Sequence, residues 1–330
     1  MRPSELEEAI ECLYPTRQSI YIWGPPGLGK SSIVKRVARK AGISCIDLRA
    51  VLLDPVDLRG LPHFADGLCK WAIPEFLPRD GRGIIFLDEL AQAAPMVQAA
   101  LLQLVLDFKL GEYTLPEGWT IIAASNRAED RAGGHKIISS MQNRFLHLDL
   151  EPHPEDWQAW AIEAEVHPVV RGFIRFRPNL LFKFNPSLNE RSFPSPRSWN
   201  FVSNIVDRAT EGALTAAVAG CVGMAPASEF LAFRSIYREL PDIQALLKNP
   251  HGHQIPTRPD VLYATCSAIT ENCRGCDKAT LSNAVIYANR MSKEFGVLLM
   301  RDLWGINKDT SSLPAAQAWL RENRHLINAA

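Results

Sequence analysis

The stretch SIYIWGPPGLGKSSIVKRVARKAG, residues 19–42, decides the fold class. An apolar run, Ile20 to Trp23, reads as a buried strand and runs directly into a glycine-rich turn. Beyond the turn the period changes: Ile33, Val34, Val37, Ala38 and Ala41 share one helical face, and Gly42 stops the helix. Between them, Gly24 to Ser31 spell Gly, four residues, then Gly-Lys-Ser, the pattern of a phosphate-binding loop, in the strand-then-helix context that the pattern requires. A glycine turn that binds nothing is the plain alternative, and the flanking strand and helix weigh against it.

The chemistry of that spacing is specific. Gly27 and Gly29 let backbone N–H groups curl around phosphates with no Cβ in the way. The helix N-terminus adds its positive dipole end. Lys30 reaches the outer phosphates, and the Ser31 hydroxyl is placed to ligate Mg²⁺. The expected nucleotide-binding set is Gly24, Pro25, Pro26, Gly27, Leu28, Gly29, Lys30, Ser31 and Ser32, with a nucleotide's phosphates and Mg²⁺ as the bound species.

Working outward, the chain keeps alternating strand and helix. "ISCIDLRA" (43–50) and "GIIFLDEL" (83–90) read as strands, and Pro95 opens a helix to about Phe108. "TIIAASN" (120–126) is an apolar strand ending in polar residues, and "FLHLDL" (145–150) is another strand. Residues 4–14 read as a helix capped by Ser4 with Glu7. "HFADGLCKWAI" (63–73) reads as a hairpin turning at Asp66-Gly67, and "KLGEYTLPEGW" (109–119) as one turning at Pro116-Glu117-Gly118. The expectation is an α/β fold, a three-layer sandwich on a parallel sheet, followed by helices. Its expected divisions are a nucleotide-binding core over 1–152 with both hairpins inserted, a helical lid over 153–250 and a helical extension over 251–330.

Two carboxylates end the strand at 83–88, where open α/β sheets bind their ligands. Asp88 is expected to hold Mg²⁺ through water, and Glu89 to orient and deprotonate an attacking water. Asn126 ends the strand expected between this element and the phosphate loop, where a neutral amide can align that water. Solvated acids at a strand end and a structural turn residue are the bland readings of these positions.

Composition limits the function classes. The chain has 330 residues, 36 basic and 36 acidic, with 47% hydrophobic and 22% charged. That apolar content excludes disorder over most of the length, and the neutral balance gives no basic domain for nucleic acid. The longest charge-free run, Gly212 to Ser228, is short and interrupted by Gly220, Gly223 and Pro226, so no membrane span is expected. Seven scattered cysteines and the lack of an apolar leader fit a reducing cytoplasm.

The phosphate loop, "IIFLDE", "AASN" and a later "PR" together resemble an AAA+ ATPase, and more narrowly the MoxR family of the helix-2-insert clade. "DPVDLRGLP" (54–62), "DELAQAAPMVQAALLQLVLD" (88–107) and "SSMQNRFLHL" (139–148) carry the narrower likeness, which spans about residues 5–210. The resemblance implies that Arg144 is an arginine finger reaching the neighbouring subunit's site. It implies that Arg197 in "SPRSW" is the sensor-2 arginine of the lid, and that Arg127 and Arg131 also lie at the subunit boundary. It implies a homo-oligomer, a ring of six, hydrolysing ATP to remodel a protein client, often one with a von Willebrand factor A domain. Its two hairpins would line the ring's working face, with Trp71, Phe64 and Tyr113 as grips. "NRAEDR" (126–131) resembles the asparagine-to-acid motif of the clade's GTP-dependent restriction motors. A nucleic-acid-remodelling motor and a nucleotide-gated binding module of low turnover therefore stand as alternatives.

Other signals are weaker. Cys273 and Cys276 form C-x-x-C with Cys266 upstream and His251 and His253 nearby, but no second pair completes a zinc site. His135 suits a turn. "RGFIRFRP" (171–178) interleaves arginine with phenylalanine, and an amphipathic lid helix is preferred over a nucleic-acid patch.

Overall fold

The computed structural model describes residues 1–130, 137–188 and 190–327, and falls into two compact units. One comprises 1–153 with 185–189, the other 154–184 with 190–330. Arg131 and His135 lie outside the described residues.

In the first unit five strands form one parallel sheet: β1 (Ile20–Trp23), β2 (Ser44–Arg49), β5 (Gly83–Asp88), β8 (Trp119–Ser125) and β9 (Leu146–Asp149). Their order is β2-β5-β8-β1-β9, with Ile20 opposite Ile122 and Leu146, and Phe86 opposite Ile122. β8 is buried along its whole length, as a strand covered on both faces must be. Alternate residues point to opposite faces. Tyr21, Ile85, Leu87, Ile121 and Ala123 enter a core with Val97, Leu101 and Leu104 of the helix α4 (Pro95–Asp107). Ile20, Ile22, Ile84, Phe86 and Ile122 are fully buried as well, on the other face. Each such side chain contributes about 1.5–3 kcal/mol on burial, which is why the apolar runs were readable as strands. The expected α/β architecture, a parallel sheet flanked by helices, is the one observed.

The helices α1 (Pro3–Leu13) and α2 (Lys30–Ala41) are joined by charge: Glu7 is buried and pairs with Arg36 and Lys40. This corrects the expected cap. Helix α1 starts one residue earlier, at Pro3, since proline suits the first helical position, and Glu5 rather than Glu7 accepts from the Arg2 N–H at 3.0 Å. The described residues of this unit also include two short helices, α3 (Pro55–Arg59) and α5 (Ser139–Gln142).

Two antiparallel pairs stand apart from the sheet. β3 (Leu61–Ala65) and β4 (Leu68–Ala72) turn through Asp66 and Gly67, both in the left-handed region at φ 55° and 73°. β6 (Lys109–Leu110) and β7 (Tyr113–Thr114) turn at Gly111-Glu112. The expected turn at Pro116-Glu117-Gly118 is therefore misplaced. Those residues form a separate turn, closed by Trp119 N–H to Pro116 O at 3.0 Å, that leads into β8.

The second unit is helical: α6 (Pro154–Glu163), α7 (Pro168–Phe176), α8 (Pro196–Ile205), α9 (Glu211–Val222), α10 (Met224–Arg238), α11 (Ile243–Lys248), α12 (Pro259–Asn272), α13 (Lys278–Arg290), α14 (Lys293–Ile306) and α15 (Pro314–Ile327). Its apolar side chains form two clusters, one around Phe173, Trp199 and Phe230, the other around Ile269, Tyr287 and Leu299. The "RGFIRFRP" stretch packs inward as α7. Arg171 is buried against Glu271 at 2.7 Å, Arg175 forks onto Asp302, Phe173 meets Phe233 edge-on and Phe176 stacks on it. Losing either carboxylate would strand a buried charge, at a cost of about 3–5 kcal/mol. Cys266 and Cys273 are buried, with thiol pKa values pushed up by burial. Among the described residues no three His, Cys, Asp or Glu side chains are grouped to hold a metal ion, and no helix is long and apolar enough to cross a membrane.

Candidate functional site

The site is built at the C-terminal ends of β5, β8 and β1, three neighbours in the sheet. After Trp23 the backbone turns at Gly24. A Cβ there would stand 2.8 Å from Leu150 O, so only glycine lets the loop start this close to the end of β9. Gly27 and Gly29 follow in the left-handed region, φ 83° and 87°, where side chains are strained. Gly29 is also the N-cap of α2, and its carbonyl accepts from Ile33 N–H at 2.9 Å. The first-turn N–H groups of α2 thus open onto the loop, a cradle suited to an anion.

Lys30 lies at the centre of the polar contacts. Its ammonium donates to Gly24 O at 2.6 Å, Pro25 O at 3.1 Å and Asn126 Oδ1 at 2.9 Å. The last contact joins two elements 96 residues apart in sequence and puts Asn126 on the phosphate loop. Pro25, Gly27 and Leu28 are buried, while Pro26, Gly29, Lys30 and Ser31 are half-buried and Ser32 is exposed.

Asp88 and Glu89 are half-buried at the end of β5. The Asp88 carboxyl is pushed above its ordinary pKa, first by burial, then by the charges of Asp47 and Glu89; the Glu89 N–H and the Lys30 charge pull the other way. That imbalance of negative charge is what a cation relieves. Oxygen donors from Ser31 and Asp88 suit Mg²⁺, an ion held by one or two protein groups plus phosphate oxygens and water rather than by a full protein cage.

Glu89 itself has φ 57° and ψ 33°, a left-handed backbone for a residue that carries a Cβ. Its N–H donates to Asp88 Oδ1 at 3.1 Å, and the chain passes at once into a short 3-10 turn over Leu90–Gln92. Such strain persists only where the surroundings over-determine it. Here the surroundings are Ser125: its Oγ accepts from Ala91 N–H at 2.9 Å, donates to Ala124 O at 2.7 Å and lies 2.8 Å from Tyr21 OH. With the serine proton committed to Ala124, Tyr21 is the donor of the third bond. The Tyr21 hydroxyl is driven well above its usual pKa by burial, so it keeps that proton. This Tyr21–Ser125–Ala91 chain ties β1, β8 and the Glu89 turn together next to Asn126. Sequence reading missed both residues; the one available signal was a hydroxyl in the otherwise apolar "TIIAAS" run.

The two arginines stand differently. Arg144 follows α5, half-buried, with its N–H on Met141 O at 3.1 Å. Its guanidinium makes no ion pair with the described residues of its own chain. Arg197 is exposed in the first turn of α8, in the second unit. Among the described residues of the first unit, the structure therefore brings Lys30 and Asn126 together and joins Asp88 to Glu89, while no side-chain bond ties Arg144 to them.

Residues 20–145 match the family described as ATPase family associated with various cellular activities (AAA). Over 138 residues, 38% of this chain and 34% of the relative, the sequence is 29% identical to a Holliday junction branch migration complex subunit RuvB from Anaeromyxobacter dehalogenans. Over 137 residues it is 28% identical to replication-associated recombination protein A of Coxiella burnetii, covering 36% of this chain and 31% of that one. The chain thus spans about a third of the length of the curated relatives it matches. Among solved structures, a RuvB variant from Thermotoga maritima aligns over 85% of this chain and 83% of its own at 16% identity, with a TM-score of 0.41. NtrX from Brucella abortus in complex with ADP aligns over 98% of this chain and 68% of its own at 15% identity, with a TM-score of 0.37.

Proposed function

We propose, on the premise that residues 20–145 form an AAA-family ATPase core, that the chain hydrolyses ATP in a homo-oligomeric ring, of six subunits, to remodel a protein client. The observation that carries this reading is the Lys30 ammonium bonded to Asn126 Oδ1 at 2.9 Å, with two acids at the end of the adjacent strand. A phosphate cradle, a water-aligning amide and a general base are what hydrolysis of a terminal phosphate needs.

In this reading Gly24 to Ser32 hold the triphosphate through backbone N–H groups, and Lys30 shifts from protein carbonyls to phosphate oxygens. Asn126, freed of part of that contact, orients the attacking water, and Glu89 takes its proton. Ser31 and Asp88 would hold Mg²⁺, which supplies charge neutralisation across the phosphates. Arg144 would act from one subunit on its neighbour's site and stabilise transition-state charge, consistent with a guanidinium that makes no ion pair with the described residues of its own chain. Arg197 would touch the phosphates in cis.

The narrower reading is MoxR-like, with a client bearing a von Willebrand factor A domain, in the cytoplasm. It rests on the motifs at 54–62, 88–107 and 139–148. A second reading, a nucleic-acid-remodelling motor, is favoured by the names of the curated relatives, a branch migration subunit and a recombination protein. The equal counts of acid and base and the burial of Arg171 and Arg175 in ion pairs favour the first.

The test separates cradle from chemistry. Lys30→Ala should abolish ATP binding, while Glu89→Gln should bind ATP and lose turnover by a factor of about 100 or more. The Glu89→Gln protein, loaded with ATP, should retain its client in a pull-down, protein or nucleic acid deciding between the two readings. Turnover in Glu89→Gln above a tenth of wild type would reject the assignment.

A further inference from the structure

The residue after Asn126 was expected at a subunit boundary, yet its guanidinium is committed within its own chain. Arg127 Nε donates to Asp149 Oδ1 at 3.1 Å, and Nη2 donates to Glu151 Oε1 at 2.5 Å and Leu150 O at 3.4 Å. Nη1 lies 3.7 Å from Glu129. The backbone is closed too: Arg127 N–H donates to Asp130 Oδ2 at 3.0 Å, and Asp130 N–H donates to Arg127 O at 3.1 Å. The side chain is 20% exposed.

Those acceptors lie at the end of β9 and just beyond it. Leu150 N–H donates to Trp23 O at 2.7 Å, the residue before the phosphate loop, and Leu150 O is the atom that a Cβ at Gly24 would strike. Since the strand order is β8-β1-β9, Arg127 reaches from the end of β8 across β1 to β9. One side chain thereby links the turn that carries Asn126 to the peptide that fixes the start of the phosphate loop.

We propose that Arg127 is a positioning residue acting in its own subunit: it pins the turn after β8 to the end of β9 and so keeps Asn126 Oδ1 aimed at Lys30. The proposal rests on the nucleotide-site reading given above. Arginine suits the task because its planar fork presents several donors at fixed angles, which a lysine point charge cannot do. Each of these pairs involves a largely exposed carboxylate and is worth about 0–1 kcal/mol alone. A displacement of about 1 Å at a positioned group, by contrast, can cost about a hundredfold in rate. The role therefore predicts a large effect on turnover and a small one on stability.

The experiment compares Arg127→Ala and Arg127→Lys with wild type for ATP turnover, affinity for a fluorescent ATP analogue and thermal unfolding. The expected result is a kcat lowered roughly 10- to 100-fold in Arg127→Ala, with analogue affinity and unfolding temperature retained and Arg127→Lys in between. The charge-swapped protein, Arg127→Glu with Glu151→Arg, should regain part of the rate that Arg127→Glu alone has lost. Mixing Arg127→Ala chains with Lys30→Ala chains should give no more activity than the weighted sum of the two, because both defects fall within the same site. Wild-type turnover in Arg127→Ala, a parallel loss of affinity and stability, or recovery on mixing would each overturn the proposal alone. Wild-type turnover in Asn126→Ala would overturn the underlying reading of Asn126, and the proposal with it.

Discussion

The two hairpins of the first unit look alike in sequence and are opposites in structure. Each is a glycine-turned ribbon carrying an aromatic residue, inserted between elements of the nucleotide site. In the first, Phe64 is 88% exposed, and Leu61 and Leu68 stand out with it. In the second, Tyr113 is only 6% exposed and sits in the sheet core with Leu110 and Leu115, its hydroxyl donating to Pro78 O. Trp71 is intermediate, half-buried under the Arg59 guanidinium at 5.2 Å. The expectation that Tyr113 grips a partner is therefore corrected, since a ring packed in a core and tied by its hydroxyl is unavailable. Exposed apolar side chains can mark interaction surfaces, and of the two ribbons the first carries large ones, Phe64 on one face and Leu61 and Leu68 on the other.

The sharpest way to break this contrast is Tyr113→Ala. Removing a core aromatic costs about 3–5 kcal/mol, and the variant also strands the Pro78 carbonyl. Chemical denaturation of the whole chain should show that loss in the transition that reports the first unit. A loss under about 1 kcal/mol would mean that the second hairpin is as detached as the first.

Tyr113→Phe sharpens the same point with less disruption. It keeps the ring and leaves Pro78 O unpaired, a penalty of about 1–3 kcal/mol. The hydroxyl also carries a pH signature, because burial pushes its pKa from 10.0 up to about 12. A pKa raised in the folded state means the contribution is complete below the unfolded value and is lost as pH climbs from about 10 toward 12. Wild type should therefore lose more stability than Tyr113→Phe across that window, and parallel curves would argue against a buried hydroxyl.

These cases also show what a sequence can and cannot reveal here. The sheet was legible because Ile84 to Leu87 and Ile121 to Ala124 are uninterrupted apolar runs, which burial on both faces demands. The phosphate loop was legible because positive φ at Gly27 and Gly29 restricts those positions to glycine. The closeness of Asn126 and Lys30 could be anticipated because strand ends in a parallel sheet gather at one edge. What failed depends on partners remote in sequence. The Tyr113 hydroxyl is held by the Pro78 carbonyl, 35 residues away, and Arg127 is held by acids 22 and 24 residues away. The Glu89 backbone and the Tyr21–Ser125 bond belong to the same class. Neither spacing nor residue type announces them, since each arises from how strand ends are juxtaposed.

A smaller effect separates the two turns. Gly67 and Gly111 both have positive φ, 73° and 60°, with nothing within 4 Å of a built Cβ, so alanine at either meets backbone strain alone, about 1–2 kcal/mol. At Gly111 that strain should lower the global unfolding free energy, because the second hairpin is part of the core. At Gly67 it should appear as faster amide exchange confined to the first ribbon, with the global value unmoved. Equal global losses at both glycines would erase the distinction.

The smallest expected effect on stability belongs to Phe64→Ser, and it is the most informative about function. An 88% exposed ring contributes little to folding, and surface changes of this kind stay within about 0.5 kcal/mol. If the first ribbon grips a client, the same change removes a large apolar anchor from the contact, a loss of about 1–2 kcal/mol or more in affinity. The measurement is client retention by the ATP-loaded Glu89→Gln protein with and without Phe64→Ser, alongside a thermal melt of each. Reduced retention with an unmoved melt assigns the ribbon to the partner. Full retention with an unmoved melt removes the ribbon from the contact, and a lowered melt shows that Phe64 packs where the structure leaves it exposed.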